Sequence, residues 1–367
     1  MYIEKLYLQN FLTYEKQFAT PSSGLNVIVG QNGSGKTNFV ESIFYASLAK
    51  SMRGLRDKDL IRWDSKGGTR IKIQIKKEYS THTIDIYIDE YGKKRIMIDS
   101  LPISKIGELI GILNIVSFSP DELGLVKDSP IDRRRFLDIS LSQQNRLYFY
   151  NLLKYNKLLE QRNKVLKTQK HSPKFKEFLD LITDSMLDCQ EYILIERKKF
   201  LECLTPLACE EHKILSGGKE VLELNYNTEN IDYDNIKESL KLMYKKAYEK
   251  DCKLEYTTVG IHRDDIKIIV NDIDIRKFGS QGQQRTAVLS LKFAEMQTFY
   301  QKTGEYPVLI LDDVLSELDQ ERKNALFERT KNIQTFLTCT EFVDGSDKSY
   351  KKLFIKDKCI KEIEDIK

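Results

Sequence analysis

Isoleucines alternate with polar residues in three successive runs: Ile71, Ile73 and Ile75, then Ile84, Ile86 and Ile88, then Ile96 and Ile98. A period of two marks strands with one buried face, and the turn residues Tyr91-Gly92 before the last run predict an antiparallel annex. Residues 112–118 also read as a strand, followed by a loop and helix start at Ser119-Pro120-Asp121-Glu122. From Asp132 the period becomes helical. Tyr148, Leu152, Tyr155, Leu159 and Leu166 form a stripe at i, i+4, i+7, i+11 and i+18, as core packing requires. The helical pattern continues to about Lys250, with Pro173, Pro206 and Gly217-Gly218 expected to interrupt it, which predicts a compact lobe and no long coiled coil.

The α/β pattern resumes at Tyr256 and reaches Pro307-Val308-Leu309-Ile310-Leu311-Asp312-Asp313, an apolar run without alternation, as in a strand of a buried parallel sheet. The expected fold class is α/β, a parallel sheet with an antiparallel β annex. One domain is expected from both chain ends, residues 1–120 and 255–367, with residues 121–254 as an inserted, mostly helical lobe.

At 367 residues, with 41 % hydrophobic and 31 % charged content, the chain can bury a sizeable core in one large or two moderate domains. No run of eighteen apolar residues occurs, and Glu4 and Lys5 stand where a signal peptide needs apolar residues, so a cytoplasmic location without membrane attachment is expected. The six cysteines lack C-x-x-C spacing and are expected to be reduced thiols, not zinc ligands. Net charge is only +4, which leaves local patches as the place to look for a polyanionic partner.

The sharpest chemistry is Gly30-Gln31-Asn32-Gly33-Ser34-Gly35-Lys36-Thr37, preceded by the strand-like Leu25-Asn26-Val27-Ile28-Val29 and followed by a helical stretch over 38–49. This is a phosphate loop in its required strand-to-helix setting. Its glycines let successive N–H groups point at phosphates, and the helix dipole adds to the attraction. Lys36 is expected on the β- and γ-phosphates and Thr37 on Mg²⁺. Asp312, 276 positions after Lys36, ends the second strand as a further Mg²⁺ ligand, direct or through water.

A second anion site is suggested by Phe278-Gly279-Ser280-Gln281-Gly282-Gln283-Gln284-Arg285-Thr286 before a helical pattern over 287–298. Ser280 and Gly282 place a hydroxyl and open N–H groups at a helix start. Since the phosphate loop already occupies one side of the nucleotide, this start is economically explained as a cap on the γ-phosphate bound by another subunit. Taken alone, the segment reads equally as a structural turn.

Together these segments resemble the ABC-type ATPases, whose signature is similar to Ser280-Gln281-Gly282-Gln283-Gln284 and whose D-loop looks like Ser316-Glu317-Leu318-Asp319. More narrowly, the stretches GQNGSGKTNFVESI, SMRGLRDKDLIR, FSPDELGLVKDSPIDRRRFLD, HRDDI, FGSQGQQRT and PVLILDDVLSELD are similar to the RecF family of SMC-like ATPases. The resemblance implies an ABC-type head, an ATP-dependent homodimer and slow hydrolysis. It further implies binding to single- and double-stranded DNA at gaps and junctions, and action with RecO- and RecR-like partners to load RecA. The expected setting is recombinational repair, replication and the SOS response to DNA damage.

On that basis Gly30 to Thr37 of one chain and Ser280, Gly282 and Gln283 of its partner would clasp one ATP. Asp313 stands where ABC-type ATPases carry a water-polarising glutamate, and a purely supporting role beside Asp312 is the other reading. Asp319 is either a bridge between the two sites or an exposed helix-start acid. No histidine follows the strand at 335–338, where Thr338 and Thr340 stand, and no glutamine lies near 118–121. Both departures point to a kcat below the usual median of about 10 s⁻¹. His262 is expected in a buried loop network, with a catalytic role as the other reading, and Arg263 on phosphate or a partner carboxylate.

Residues 131–170 carry ten basic side chains against three acidic ones. Candidate DNA contacts are Arg133, Arg134, Lys154 and Lys157 there, with Arg53, Arg56 and Arg62 after the phosphate-loop helix. A solvated helix face, or pairing of Arg133 to Arg135 with acids inside the lobe, is the plainer alternative. Rival functions are an SMC-type chromosome-organising ATPase, a transporter's nucleotide-binding subunit and a small-molecule phosphotransferase.

Overall fold

A computed structural model describes residues 1–170, 172–228, 231–315, 318–341, 350–356 and 358–366. Strands β1 (Tyr2–Phe11), β2 (Tyr14–Ala19) and β3 (Leu25–Val29) precede helix α1 (Lys36–Leu48), and β4 (Thr69–Lys76), β5 (Thr81–Ile88), β6 (Lys94–Ile98), β7 (Leu101–Pro102) and β8 (Ile115–Phe118) follow. Next come α2 (Gly124–Lys127), α3 (Pro130–Gln144), α4 (Arg146–Thr168) and α5 (Phe175–Leu215), then β9 (Leu222–Asn227) and α6 (Ile236–Leu254). Strands β10 (Asp265–Val270) and β11 (Ile273–Asp274) lead to α7 (Ile275–Phe278) and α8 (Gln281–Thr303). The described chain closes with β12 (Val308–Asp312), α9 (Gln320–Arg329), β13 (Thr335–Cys339), β14 (Tyr350–Lys356) and β15 (Cys359–Ile366). The mixed α/β class is as expected, and the chain divides into two compact units, 1–122 with 292–367, and 123–291.

The first unit holds two six-stranded sheets. One is antiparallel in the order β2-β1-β4-β5-β6-β7, and its buried face carries the alternating isoleucines from Ile71 to Ile96. The other runs β15-β14-β3-β13-β12-β8, with every neighbouring pair parallel except β14 and β15. Helix α1 is buried nearly all round, through Phe39, Val40, Ile43, Phe44, Tyr45 and Ala46, and a helix apolar on every side needs cover on every side. It packs on β4 of the antiparallel sheet and on β8, β12 and β13 of the parallel one, within a single hydrophobic core. The aspartate-bearing strand β12 is separated from β3 by β13.

The second unit contains the helical lobe and a three-stranded sheet, β11-β10-β9. Two expectations change here. Residues 255–291 join the lobe because β10 pairs with β9 along its full length and because Asp264 and Asp265 meet arginines of the lobe helices. Pro206 does not stop α5, which runs 41 residues, about 62 Å. A proline inside a helix costs about 3 kcal/mol. Burial on both sides of it, at Phe200, Leu201, Leu204 and Ala208, offsets that cost, so packing overrides propensity. The α4 stripe is core as expected, with Tyr148, Tyr155 and Leu166 buried and Leu152 and Leu159 half-buried.

Several basic residues of the lobe point inward. Arg133 is buried, its Nε donating to Asp265 at 2.6 Å and its Nη1 to the carbonyls of Leu125 and Asp128, which removes it from the candidate DNA contacts. Arg162 donates to Asp251 at 2.7 Å, to Thr257 and to Thr183. Arg197 on α5 pairs with Asp138 and Asp264 and also donates to Tyr148 Oη and the Ile261 carbonyl. A buried charge is tolerated only when paired and hydrogen-bonded, and each of these is.

Candidate nucleotide-binding site

Strand β3 is flanked on both sides by parallel neighbours, β14 and β13, so its end is fixed where the glycine loop begins. Gly35 has φ 112°, and a Cβ there would sit 2.8 Å from Thr13 Oγ1, so only glycine fits. Tyr14 pins the same residue by donating to the Gly35 carbonyl at 2.9 Å. A Cβ on Gly30 would meet Ser34 Oγ at 2.7 Å and the Ile355 carbonyl at 2.9 Å. Helix α1 starts without a side-chain cap, so its first N–H groups turn into the loop.

Lys36 is buried, and its ammonium curls over the loop to donate to the carbonyls of Gly30 at 2.7 Å and Gln31 at 3.1 Å. The Thr37 hydroxyl donates to Asp312 Oδ1 at 3.2 Å, which brings together two residues 275 positions apart. Thr338 Oγ1 donates to the same carboxylate oxygen at 2.6 Å and accepts from the Asp313 N–H at 2.9 Å. Burial raises the Asp312 carboxyl above its usual range, while the Thr338 and Thr37 hydroxyls pull it back down. Asp313 is exposed, with φ 53°, an unusual backbone for a residue other than glycine.

These residues fit a triphosphate with Mg²⁺. The Ser34 Oγ is buried without a hydrogen-bond partner, the helix start is open, and the oxygens of Thr37 and Asp312 lie together beside the loop, where they could hold a hard cation. Among the described residues no group of three or more His, Cys, Asp or Glu could hold a metal by itself, so phosphate and water would complete the shell.

In the second unit, Ser280 and Gln283 form a reciprocal cap on α8. The Gln283 N–H donates to Ser280 Oγ at 3.2 Å, and Gln283 Oε1 accepts from the Ser280 N–H at 3.0 Å. Ser280 is exposed and keeps its O–H to donate, while Gly282 is half-buried in the first turn. Gln283 thus has a capping role beyond any ligand contact.

Asp319 caps α9, accepting from the Arg322 N–H at 2.9 Å and pairing with the Arg322 guanidinium, and Ser316 and Glu317 lie outside the described residues. His262 is half-buried between Tyr155 Oη at 2.6 Å and the Thr257 carbonyl at 3.1 Å, and burial pushes its imidazole down to about 4. Arg263 is exposed, donates to the Thr257 carbonyl and lies over the Tyr256 ring.

The remaining basic candidates differ in character. Arg53 is tied to α1 by Glu41, a fully buried carboxylate, and by Asn38. Arg62 pairs with Glu15 and Asp64, and Arg56 with Asp59. Arg134 is half-buried on the Asp264 carbonyl, whereas Lys154 and Lys157 are exposed on α4. Nothing in the sequence pattern marked Tyr14 as part of this site, whereas Thr338, which stands in place of a switch histidine, becomes a partner of Asp312 only once β12 and β13 are paired.

The RecF/RecN/SMC N terminal domain model matches residues 2–360. A DNA replication and repair protein RecF of Clostridium botulinum (strain 657 / Type Ba4) is 42 % identical over 358 residues, 97 % of this chain and 98 % of that protein. Its counterpart from Clostridium perfringens (strain SM101 / Type A) is 45 % identical over 344 residues, 94 % of each chain. A solved structure of the recombination mediator protein RecF-ATPrS in the RecFOR pathway superposes with a TM-score of 0.91 at 32 % identity, covering 99 % of this chain and 98 % of that one.

Proposed function

Because this chain belongs to the RecF/RecN/SMC N-terminal domain family, we propose that it is an ATP-gated DNA-binding protein of DNA replication and recombinational repair. The observation that carries the reading is the convergence of Thr37, Asp312 and Thr338 beside a glycine loop whose Lys36 is already held over it. Residues 1–122 with 292–367 serve as the ATPase head, and 123–291 as the inserted lobe. Lys36 and Thr37 of one chain and Ser280 and Gly282 of a second clasp one ATP, so the nucleotide joins a homodimer. Mg²⁺ supplies charge neutralisation at the phosphates. Asp313 orients the attacking water, and slow hydrolysis times release, which makes the ATPase a switch. The RecFOR setting of the solved relative supports RecO- and RecR-like partners and, through them, RecA loading at gapped DNA in the cytoplasm.

Sizing the protein by light scattering with and without ATP-Mg²⁺ tests this reading. The wild type should double in mass only with ATP, and Ser280→Arg should bind nucleotide normally yet stay single. A loaded wild type that stays single at every concentration overturns it.

Thr338 gives a second test. Losing a charge-assisted hydrogen bond costs about 1.5–3 kcal/mol, so Thr338→Val should raise the Mg²⁺ needed for half-maximal ATPase by roughly tenfold or more. Nucleotide binding without Mg²⁺ should be unchanged, and Thr338→Ser should restore the wild-type requirement. An unaltered Mg²⁺ dependence in the valine variant rules the role out.

A further inference from the structure

The solvent face of the antiparallel sheet carries a groove of about 830 Å³, lined by residues of β1, β4, β5, β6 and the segments next to them. Strand register sets a row across its floor. Arg70 on β4 lies opposite Tyr87 on β5, which lies opposite Arg95 on β6. Cross-strand neighbours stand about 4.5–5.5 Å apart at Cβ, so the Tyr87 ring sits between two guanidinium-bearing side chains. Tyr87 is 39 % exposed, a large fraction for an aromatic residue inside a sheet.

Charge around this ring is strongly one-sided. Lys66, Arg95 and Lys105 are exposed and line the groove, and none of them makes an ion pair among the described residues. Arg70 is held by a bidentate contact to Asp85, the one acid in the lining. Lys94, also in the lining, is already taken by Asp57 and the Tyr45 hydroxyl. An aromatic face beside the exposed Lys66, Arg95 and Lys105 matches a chain that alternates flat rings with negative charges. A duplex keeps its base faces stacked inside and offers nothing to Tyr87. An acidic peptide supplies the charge but no ring.

We propose that this groove holds single-stranded nucleic acid, with one unpaired base stacked on Tyr87 and flanking phosphates met by Lys66, Arg95 and Lys105. The proposal rests on the DNA-binding reading above and assigns the single strand to a surface apart from the basic residues of the lobe.

The test titrates the full chain, with ATP and Mg²⁺, against a fluorescein-labelled fifteen-nucleotide oligo-dT and against a blunt duplex of the same length at several salt concentrations. Tyr87→Ala should weaken oligo-dT binding about tenfold and leave duplex binding within about twofold. Arg95→Gln should make the plot of log affinity against log salt shallower by about 0.7, the share of one single-strand phosphate contact. Both side chains are exposed, so thermal midpoints should not move. With 5-iododeoxyuridine in the oligonucleotide, the photocrosslink should map to the β5 peptide.

If the wild type binds oligo-dT and both variants bind it equally well, the groove is wrong and the DNA reading stands. If the wild type binds neither probe, both readings fall. If a glutamate decapeptide binds in an Arg95-dependent way and oligo-dT does not displace it, the groove serves an acidic segment and the proposal is overturned.

Discussion

Replacing Lys36 with methionine is expected to weaken triphosphate binding by about 1.5 to 3.5 orders of magnitude and to abolish nucleotide-dependent pairing. The Lys36 ammonium sits in a buried pocket of backbone carbonyls at 2.7 and 3.1 Å, so its charge acts on a phosphate with little screening by water. Removing one member of such a desolvated charge pair costs about 2–5 kcal/mol, which converts to the stated loss. Methionine keeps the length and the apolar stem, so the fold should survive with an unchanged thermal midpoint. Titration with a fluorescent ATP analogue measures the effect, and an affinity within threefold of wild type would remove the lysine from the site. Lys36→Arg keeps the charge on a broader head, so it should retain nucleotide and lose hydrolysis.

Arg197→Ala should cost the second unit about 3–5 kcal/mol of stability, the range for breaking a buried pair by deleting one partner. One guanidinium joins α5 to Asp138 on α3, Tyr148 on α4 and the turn holding Ile261 and Asp264. Its loss leaves the Asp264 carboxylate buried, with the Tyr226 hydroxyl as a remaining donor. Burial pushes the Asp264 carboxyl up to about 6, and Arg197 is the strongest influence holding it down. A carboxyl whose folded value is raised contributes stability below its unfolded pKa and loses it as pH rises through the folded one. Without Arg197 that loss continues to higher pH, so the variant's deficit should be larger at pH 8 than at pH 5. Urea unfolding midpoints of the full chain at the two values decide it. A deficit under 1 kcal/mol at pH 8 would show that the network contributes little. Replacing Arg197, Asp138 and Asp264 together by apolar residues of similar volume should recover much of the loss.

What the sequence disclosed and what it hid divide along the range of the interaction. The isoleucine alternation was legible because a half-buried strand has a period of two wherever it packs, and β4, β5 and β6 follow it. The phosphate loop was legible because the spacing of its glycines, lysine and threonine is local to one turn. Pro206 misled because its cost is local while the burial that offsets it is not. Arg133 was open to two readings, a DNA contact or a pair inside the lobe, and no local pattern could choose between them because its partner Asp265 lies 132 positions away. The lobe boundary moved because β10 pairs with β9 and β11 in a sheet of the second unit. Thr338 was visible only as the residue standing in place of a switch histidine, and its role was not, since a threonine at a strand end becomes a carboxylate holder only once β12 and β13 are side by side.

The placement of β3 bears on how the protein is made. Both of its sheet neighbours, β13 and β14, emerge from the ribosome some 300 residues after it. At 5–20 residues per second, the strand below the glycine loop waits roughly 15–60 s for partners, with Val27, Ile28 and Val29 uncovered. The phosphate cradle cannot take its final shape on a nascent chain that has not reached β13. An apolar strand uncovered for that long is expected to need shielding, so slowing translation in the last third should raise the nascent chain's demand for chaperones.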